Sequence, residues 1–420
     1  MFLNKIEMNF KVFSFRKNNA IAKALSGALY DLPVPVNISY FWNFGSLLGV
    51  CLSVQILSGL FLALHYTPEV EKAFFSVMMI SREVQGGWLL RSFHANGASM
   101  FFFCIFMHMG RGLYYHSFRL GGTWISGVHM FILLMAIAFT GYVLPWGQMS
   151  YWAATVITNL FSAIPIIGGS IMEYIWGGSG VGDPTLKRFF VVHFISPFVL
   201  GLLIVVHMAF LHQTGSSNPL GLDSMNDCVP FHPYFSFKDF LGFFLFLGFL
   251  CLVVFFCPDF FSDPENFIPA DKMKTPAHIQ PEWYFLFAYS ILRGVPNKLG
   301  GVVLLFASVV VFYVLPFFEM PKISGSQYNG LGQLYFWSFV FNFFLLSNMA
   351  TCAVEYPFIQ VTWFSTFFYF FFFFFFFSFV WVFKHTEKGV LYPFGCRYYM
   401  NLKQHLIFAP KKFTLAFPPL

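Results

Sequence analysis

A chain of 420 residues that is 58% hydrophobic, 22% aromatic and only 10% charged lacks the roughly 25% of charged side chains that a soluble domain carries. That balance excludes a soluble globular enzyme and a nucleic-acid-binding module and identifies an integral membrane protein, with a formal net charge of +6. Seven cysteines are scattered singly, without CxxC or CxxCH, which argues against metal knuckles and covalently attached haem. The 65 phenylalanines have no evident mechanical purpose; A+T-rich codons, as in an organellar genome, explain them.

The start, Met1 to Lys23, is basic and lacks a small-residue cleavage site after a compact apolar core, so it reads as a retained surface segment. Apolar runs then predict eight membrane spans. They are placed at Phe41–Tyr66, Leu89–Tyr115, Trp124–Leu144, Lys187–His212, Phe240–Cys257, Leu299–Phe318, Gly332–Ala350 and Phe358–Phe383. The fold class is therefore an all-α membrane protein of eight transmembrane helices, the first four forming a bundle. The connections Gly147–Leu186 and Pro258–Lys298 contain amphipathic aromatic stretches and do not divide domains. The phenylalanine-dense run Phe367–Phe377 reads as lipid-facing helix.

Lysines and arginines orient the spans. The side holding both termini and the even-numbered turns collects 15 of them, the other side nine, which puts the termini in the positive-inside compartment.

The second and fourth spans carry the chemistry. Each has two histidines fourteen residues apart, His94 and His108, then His193 and His207. Fourteen residues is nearly four helical turns, so both histidines of a pair share one face, separated by about 21 Å. The two spans run in the same direction, which sets His94 level with His193 near the outer face and His108 level with His207 near the inner face. One such histidine reads as a hydrogen-bonded group inside a bundle. Two equally spaced pairs on co-oriented spans read as axial ligands of two haem irons, one at each depth. Glycines keep the same spacing: Gly45 and Gly59 in the first span, Gly127 and Gly141 in the third. They would let a flat macrocycle approach the backbone; ordinary small-residue packing is the plainer explanation. Arg91 and Arg111 flank the histidines of the second span toward the two surfaces and suit haem propionates, or else snorkel to the interface.

The segments FHANGAS (Phe93–Ser99), GRGLYY (Gly110–Tyr115), GYVLPWGQMSYW (Gly141–Trp152) and PEWYFLFAY (Pro281–Tyr289) resemble the cytochrome b family, the diheme core of the ubiquinol–cytochrome c reductase (respiratory complex III). The resemblance runs from about Leu32 to Phe383. It implies a basic surface segment over 1–31, a diheme four-helix bundle over 32–228, a region completing the outer quinol site over 229–385, and an extension over 386–420. It also implies the catalytic subunit of a proton-translocating quinol dehydrogenase with two non-covalent b-type haems. The low-potential one would sit on His94 and His193, the high-potential one on His108 and His207, and ubiquinol and ubiquinone would be the substrates of a Q cycle. Expected partners are a Rieske iron–sulfur protein, a membrane-bound c-type cytochrome, accessory subunits, lipid and a second copy of the complex. The expected location is the mitochondrial inner membrane, multi-pass, with both termini in the matrix.

The family places the outer quinol site at Pro281, Glu282, Trp283, Tyr284 and Tyr289, with Phe139, Tyr142 and the short helix around Trp152 and Ala153. Glu282 suits a proton acceptor, or else a carboxylate favoured only by a helix start. The inner quinone site would use His212, Ser216, Lys238 and Asp239, an imidazole and an acid able to deliver two protons. The sequence departs from the family pattern at Gln213, Gln280 and Ala153. Alanine in place of the usual glycine at the last position implies normal turnover with resistance to methoxyacrylate-type inhibitors. Two competing classes are a haem-free proton-coupled transporter, which predicts internal repeats that this sequence lacks, and a haem-bearing subunit without quinone chemistry, which the intact PEWY segment argues against.

Overall fold

The computed structural model describes residues 15–222, 224, 227–318 and 325–386. Residues 1–14, Lys322 and the tail from 387 onward, on which part of the basic-side count rests, lie outside the described residues. Eight long helices follow one another where the apolar runs predict them. The first four are α1 (Phe44–Ala63), α2 (Gly87–Tyr114), α3 (Gly121–Val143) and α4 (Asp183–Thr214). The last four are α5 (Tyr234–Phe256), α6 (Lys298–Val310, continued as a 3-10 turn to Phe317), α7 (Gly330–Thr351) and α8 (Phe358–Thr386).

Seven of the eight are long and apolar enough to cross a membrane. The exception is α2, whose 28 residues are ample in length but include Arg91, His94, Asn96, His108 and Arg111. A helix can keep such groups at membrane depth only if protein covers them. It does: Asn96 is buried and donates to Ser92 O and Pro258 O, and α2 packs along α1 as α3 packs along α4.

Local chemistry sets the ends. Gly86, at φ +72°, turns the chain into α2, a conformation open to glycine without strain. At α4, Asp183 and Pro184 open the first turn, where an anion and a missing N–H are both favourable. Gly215, at φ +75°, closes that helix with its N–H on Leu211 O. A two-stranded antiparallel ribbon, Pro33–Pro35 against Cys228–Pro230, ties the chain before α1 to the chain before α5.

Three apolar clusters hold the helices. The largest joins Leu47, Cys51, Phe101, Phe102, Phe131 and Leu134 of the first three helices to Leu250 and Val254 of α5 and to Tyr284. Both halves of the chain therefore share one core. A second cluster sits among α6, α7 and α8, around Ile291, Leu315, Phe339, Leu346 and Tyr369. In a bilayer, packing and interhelical hydrogen bonds replace the hydrophobic drive between helices. Here Tyr369 Oη donates to Ser308 O at 2.7 Å, Asn342 Nδ2 to Ser365 O at 2.9 Å, and Trp124 Nε1 to Phe312 O at 2.8 Å. The third cluster closes one end of the bundle with Val143, Trp146, Ala154, Leu186 and Phe189. There the two long connections form the short helices Gln148–Asn159, Gly168–Trp176 and Leu286–Gly294.

Candidate diheme and quinone sites

The four histidines meet in two pairs across the bundle. The His94 and His193 ring centres are 6.1 Å apart, and those of His108 and His207 are 6.5 Å apart. An iron about 2 Å from one nitrogen of each ring, the distance usual for metal–imidazole bonds, sets ring centres about 6 Å apart. Among the described residues no three His, Cys, Asp or Glu side chains gather as a metal cage would, so two imidazoles per level suit an iron whose remaining ligands come from a macrocycle.

The orientation of the rings also suits this. His94 Nδ1 lies 2.9 Å from Ser58 Oγ, His207 Nδ1 lies 2.9 Å from Ser126 Oγ, and His193 Nδ1 lies 2.8 Å from Ile137 O. With Nδ1 engaged, Nε2 is left for a metal. His108 Nδ1 is buried with no hydrogen-bond partner among the described residues.

Each glycine of the repeated spacing faces one of these rings. A Cβ at Gly59 would come within 3.0 Å of His94 Cε1, and one at Gly45 within 3.4 Å of His108 Cε1. One at Gly127 would lie 3.3 Å from His207 Cε1, and one at Gly141 only 2.3 Å from His193 Cε1. The missing side chains make room for the imidazole edges themselves. Gln55 adds a tie from α1, donating to His94 O at 2.9 Å.

At the His108–His207 level the Arg111 guanidinium lies 5.2 Å over the Trp42 ring, and Arg111 Nε and Trp42 Nε1 are both buried without a partner among the described residues. Two adjacent unpaired donors suit an anionic carboxylate such as a propionate. One turn before His94, Arg91 interacts electrostatically with Asp259 and Glu282.

The PEWY segment is docked onto α2. Trp283 Nε1 donates to Ser99 Oγ at 3.2 Å, and the Tyr284 ring stacks on Phe102 at 3.9 Å with an interplanar angle of 2°. Trp283 and Tyr284 are thus anchors that tie the segment to α2, with Glu282 facing Arg91 and Tyr142. Burial keeps the Tyr284 phenol well above its ordinary pKa, and the Tyr289 phenol is raised for the same reason. Neither can act as a base near neutrality. Burial raises Glu282 to about 7, Asp263 adds to the rise, and a hydrogen bond from Tyr142 and the charge of Arg91 oppose it. Glu282 therefore exchanges a proton near neutral pH.

The chain around it is laced to the end of α3. Gln148 N donates to Ile268 O, Ala270 N to Trp146 O, and Gln148 Oε1 accepts from Asp271 N. Gly147 is required, because a Cβ there would lie 2.4 Å from Asn266 O. Tyr289 Oη donates to Ile279 O at 2.7 Å. Phe139 packs edge-on to Phe189 at 5.8 Å, and Ala153 is buried in the short helix beside an indole, Trp152 Nε1, that has no partner among the described residues.

At the other end, Lys238 Nζ donates to Ile38 O and lies 4.9 Å over the Tyr40 ring. Asn43 Nδ2 donates to Lys238 O at 3.1 Å. His212 Nε2 is buried without a hydrogen-bond partner among the described residues. Among the described residues no hydrogen bond or ion pair joins His212 or Ser216 to Lys238 or Asp239, so the four expected residues sit on two separate elements, α4 with its exit and α5.

Ser58 and Ser126 escaped the sequence reading. The available signal was their place immediately before Gly59 and Gly127.

Two family models match the sequence, Cytochrome b/b6/petB over residues 29–215 and Cytochrome b(C-terminal)/b6/petD over residues 269–370. A chain of a solved structure titled "Hyperthermophilic respiratory Complex III" superposes with a TM-score of 0.80 at 32% identity, over 85% of this chain and 95% of that one.

Proposed function

This chain belongs to the cytochrome b family and is a membrane-embedded electron-transfer subunit of a bc complex, and from that premise we propose that it oxidises quinol near one membrane face and reduces quinone near the other. The observation that carries the reading is the stack of two imidazole pairs, with ring centres 6.1 and 6.5 Å apart, carried by α2 and α4. Two b-type haems, when bound, supply one-electron transfer between the two levels. His94 and His193 would hold the outer one, His108 and His207 the inner one. Arg111 beside Trp42, and Arg91 at the opposite end, would meet their carboxylates.

Quinol gives up two protons and two electrons. In this reading the Glu282 carboxylate accepts one proton at the outer face and the other passes to water there, while Pro281 and the anchored Trp283–Tyr284 pair fix the carboxylate's position and Tyr142 orients it. One electron leaves for a Rieske iron–sulfur protein and onward to a membrane-bound c-type cytochrome. The other crosses to the inner face, where quinone takes up two electrons over two turnovers and two protons through His212 and Asp239, with Lys238 and Ser216 as further contacts. The cycle moves protons outward. Ubiquinone as the quinone, a dimeric complex with accessory subunits and bound lipid, and a mitochondrial inner membrane with the termini in the matrix belong to the same proposal. The last rests on the phenylalanine-rich composition and the charge bias.

Glu282→Gln tests the catalytic part. Since the acceptor must be ionised, quinol oxidation rises as pH passes upward through about 7. The variant is expected to keep both b spectra, slow quinol oxidation about 10²-fold and flatten that rise. An unchanged pH profile at normal turnover would remove Glu282 from the proton path.

A further inference from the structure

The residue preceding each ring-facing glycine differs among the four levels. Ser58 precedes Gly59 opposite His94, Ser126 precedes Gly127 opposite His207, Thr140 precedes Gly141 opposite His193, and Phe44 precedes Gly45 opposite His108. Ser58 Oγ lies 2.6 Å from Val54 O, and Ser126 Oγ lies 2.9 Å from both Gly122 O and Thr123 O. A serine hydroxyl has one hydrogen, and here it goes to a carbonyl of the serine's own helix. Toward His94 and His207 the oxygen is consequently the acceptor, and each ring donates from Nδ1. Ile137 O, which can only accept, does the same for His193. His108 has no such acceptor among the described residues. The outer pair thus carries two accepted imidazole protons and the inner pair one.

We infer that Ser126 is a positioning residue of the inner haem site: it orients His207 and, by accepting the Nδ1 proton, makes that imidazole a stronger donor to iron. The inference rests on the diheme reading above. A more basic ligand stabilises the more positive, oxidised iron, and hydrogen bonding to an axial ligand is one of the levers that set a haem potential. Removing the Ser126 hydroxyl should raise the inner potential.

The test is potentiometric titration of the visible spectrum of the intact complex carrying Ser126→Val or Ser126→Thr, side chains of like shape that differ in the hydroxyl. The valine variant should shift the oxidised-to-reduced ratio of the higher-potential component alone, by up to about tenfold at fixed potential, or about 59 mV for one electron. The threonine variant should titrate as the unmutated complex does. Ser58→Val should raise the lower-potential component instead. Ser126→Ala, which adds no bulk, carries the same expectation where the valine variant does not assemble. Two components with neither moved by loss of the Ser126 hydroxyl, or moved equally by threonine and valine, overturn the inference and leave the diheme reading standing. An unmutated complex with one b component or none overturns both.

Discussion

At Gly141 a Cβ would lie 2.3 Å from His193 Cε1, whereas at Gly45 the corresponding distance is 3.4 Å. Real Cβ atoms do not approach other atoms as closely as the first distance, and the second is ordinary contact. Gly141→Ala should therefore displace His193 and lower the content of the outer haem, with the inner component retained. Gly45→Ala should leave both near normal. Haem content per complex, from the reduced-minus-oxidised spectrum, checks the pair; equal losses in the two variants would mean that the glycines act through general packing. The histidine ladder itself was legible in the sequence, because a fourteen-residue repeat projects two side chains from one helix face. The acceptors of their Nδ1 protons were not, because Ser58, Ser126 and Ile137 belong to neighbouring helices, and only packing decides which atom a ring meets. The PEWY segment divides the same way. Glu282 is recognisable by residue type, but the roles of Trp283 and Tyr284 as anchors emerge only from Ser99 and Phe102 on α2.

Among the helices, α2 is the one whose own composition would not carry it across a bilayer, and it carries one histidine of each pair. Its polar residues are tolerated because α1, α3, α5 and the PEWY segment surround it, as the shared cluster around Phe101, Phe102, Phe131, Leu250 and Tyr284 records. Function thus places a cost on one helix that its neighbours offset. The second half is held differently, by side-chain donors placed on carbonyls of adjacent helices. Tyr369→Phe removes a buried hydroxyl from Ser308 O and should destabilise α8 against α6 by about 1 kcal/mol. Thermal inactivation of quinol oxidation should then come at lower temperature while the b spectra stay unchanged; identical inactivation curves would show that this bond contributes nothing net. All eight helices were legible in the sequence; the ends agree closely except at α5, which starts at Tyr234 rather than at the expected Phe240. The cross-links were not, since a tyrosine or asparagine in a run of phenylalanines does not announce which carbonyl it will find.

At the scale of the whole molecule, two levels of paired imidazoles are stacked in the bundle, the Glu282 segment is docked on α2, and His212 near the end of α4 and Lys238 and Asp239 near the start of α5 stand on separate elements; we propose that they serve two quinone sites. Sidedness was read from charge bias alone, and part of that bias lies in residues outside those described. The inner region was the least legible: His212 and Asp239 stand on different elements, with no bond between them among the described residues, so no sequence spacing could relate them. The central claim is that both imidazole pairs hold b-type haems at different potentials. The measurement that tests it most directly is a potentiometric titration of the reduced-minus-oxidised visible spectrum of the purified complex, repeated with His108→Leu. Two components at separated potentials, with loss of the higher one alone in the variant, is the predicted result. A single component, or loss of the lower one in His108→Leu, would contradict the two-level path.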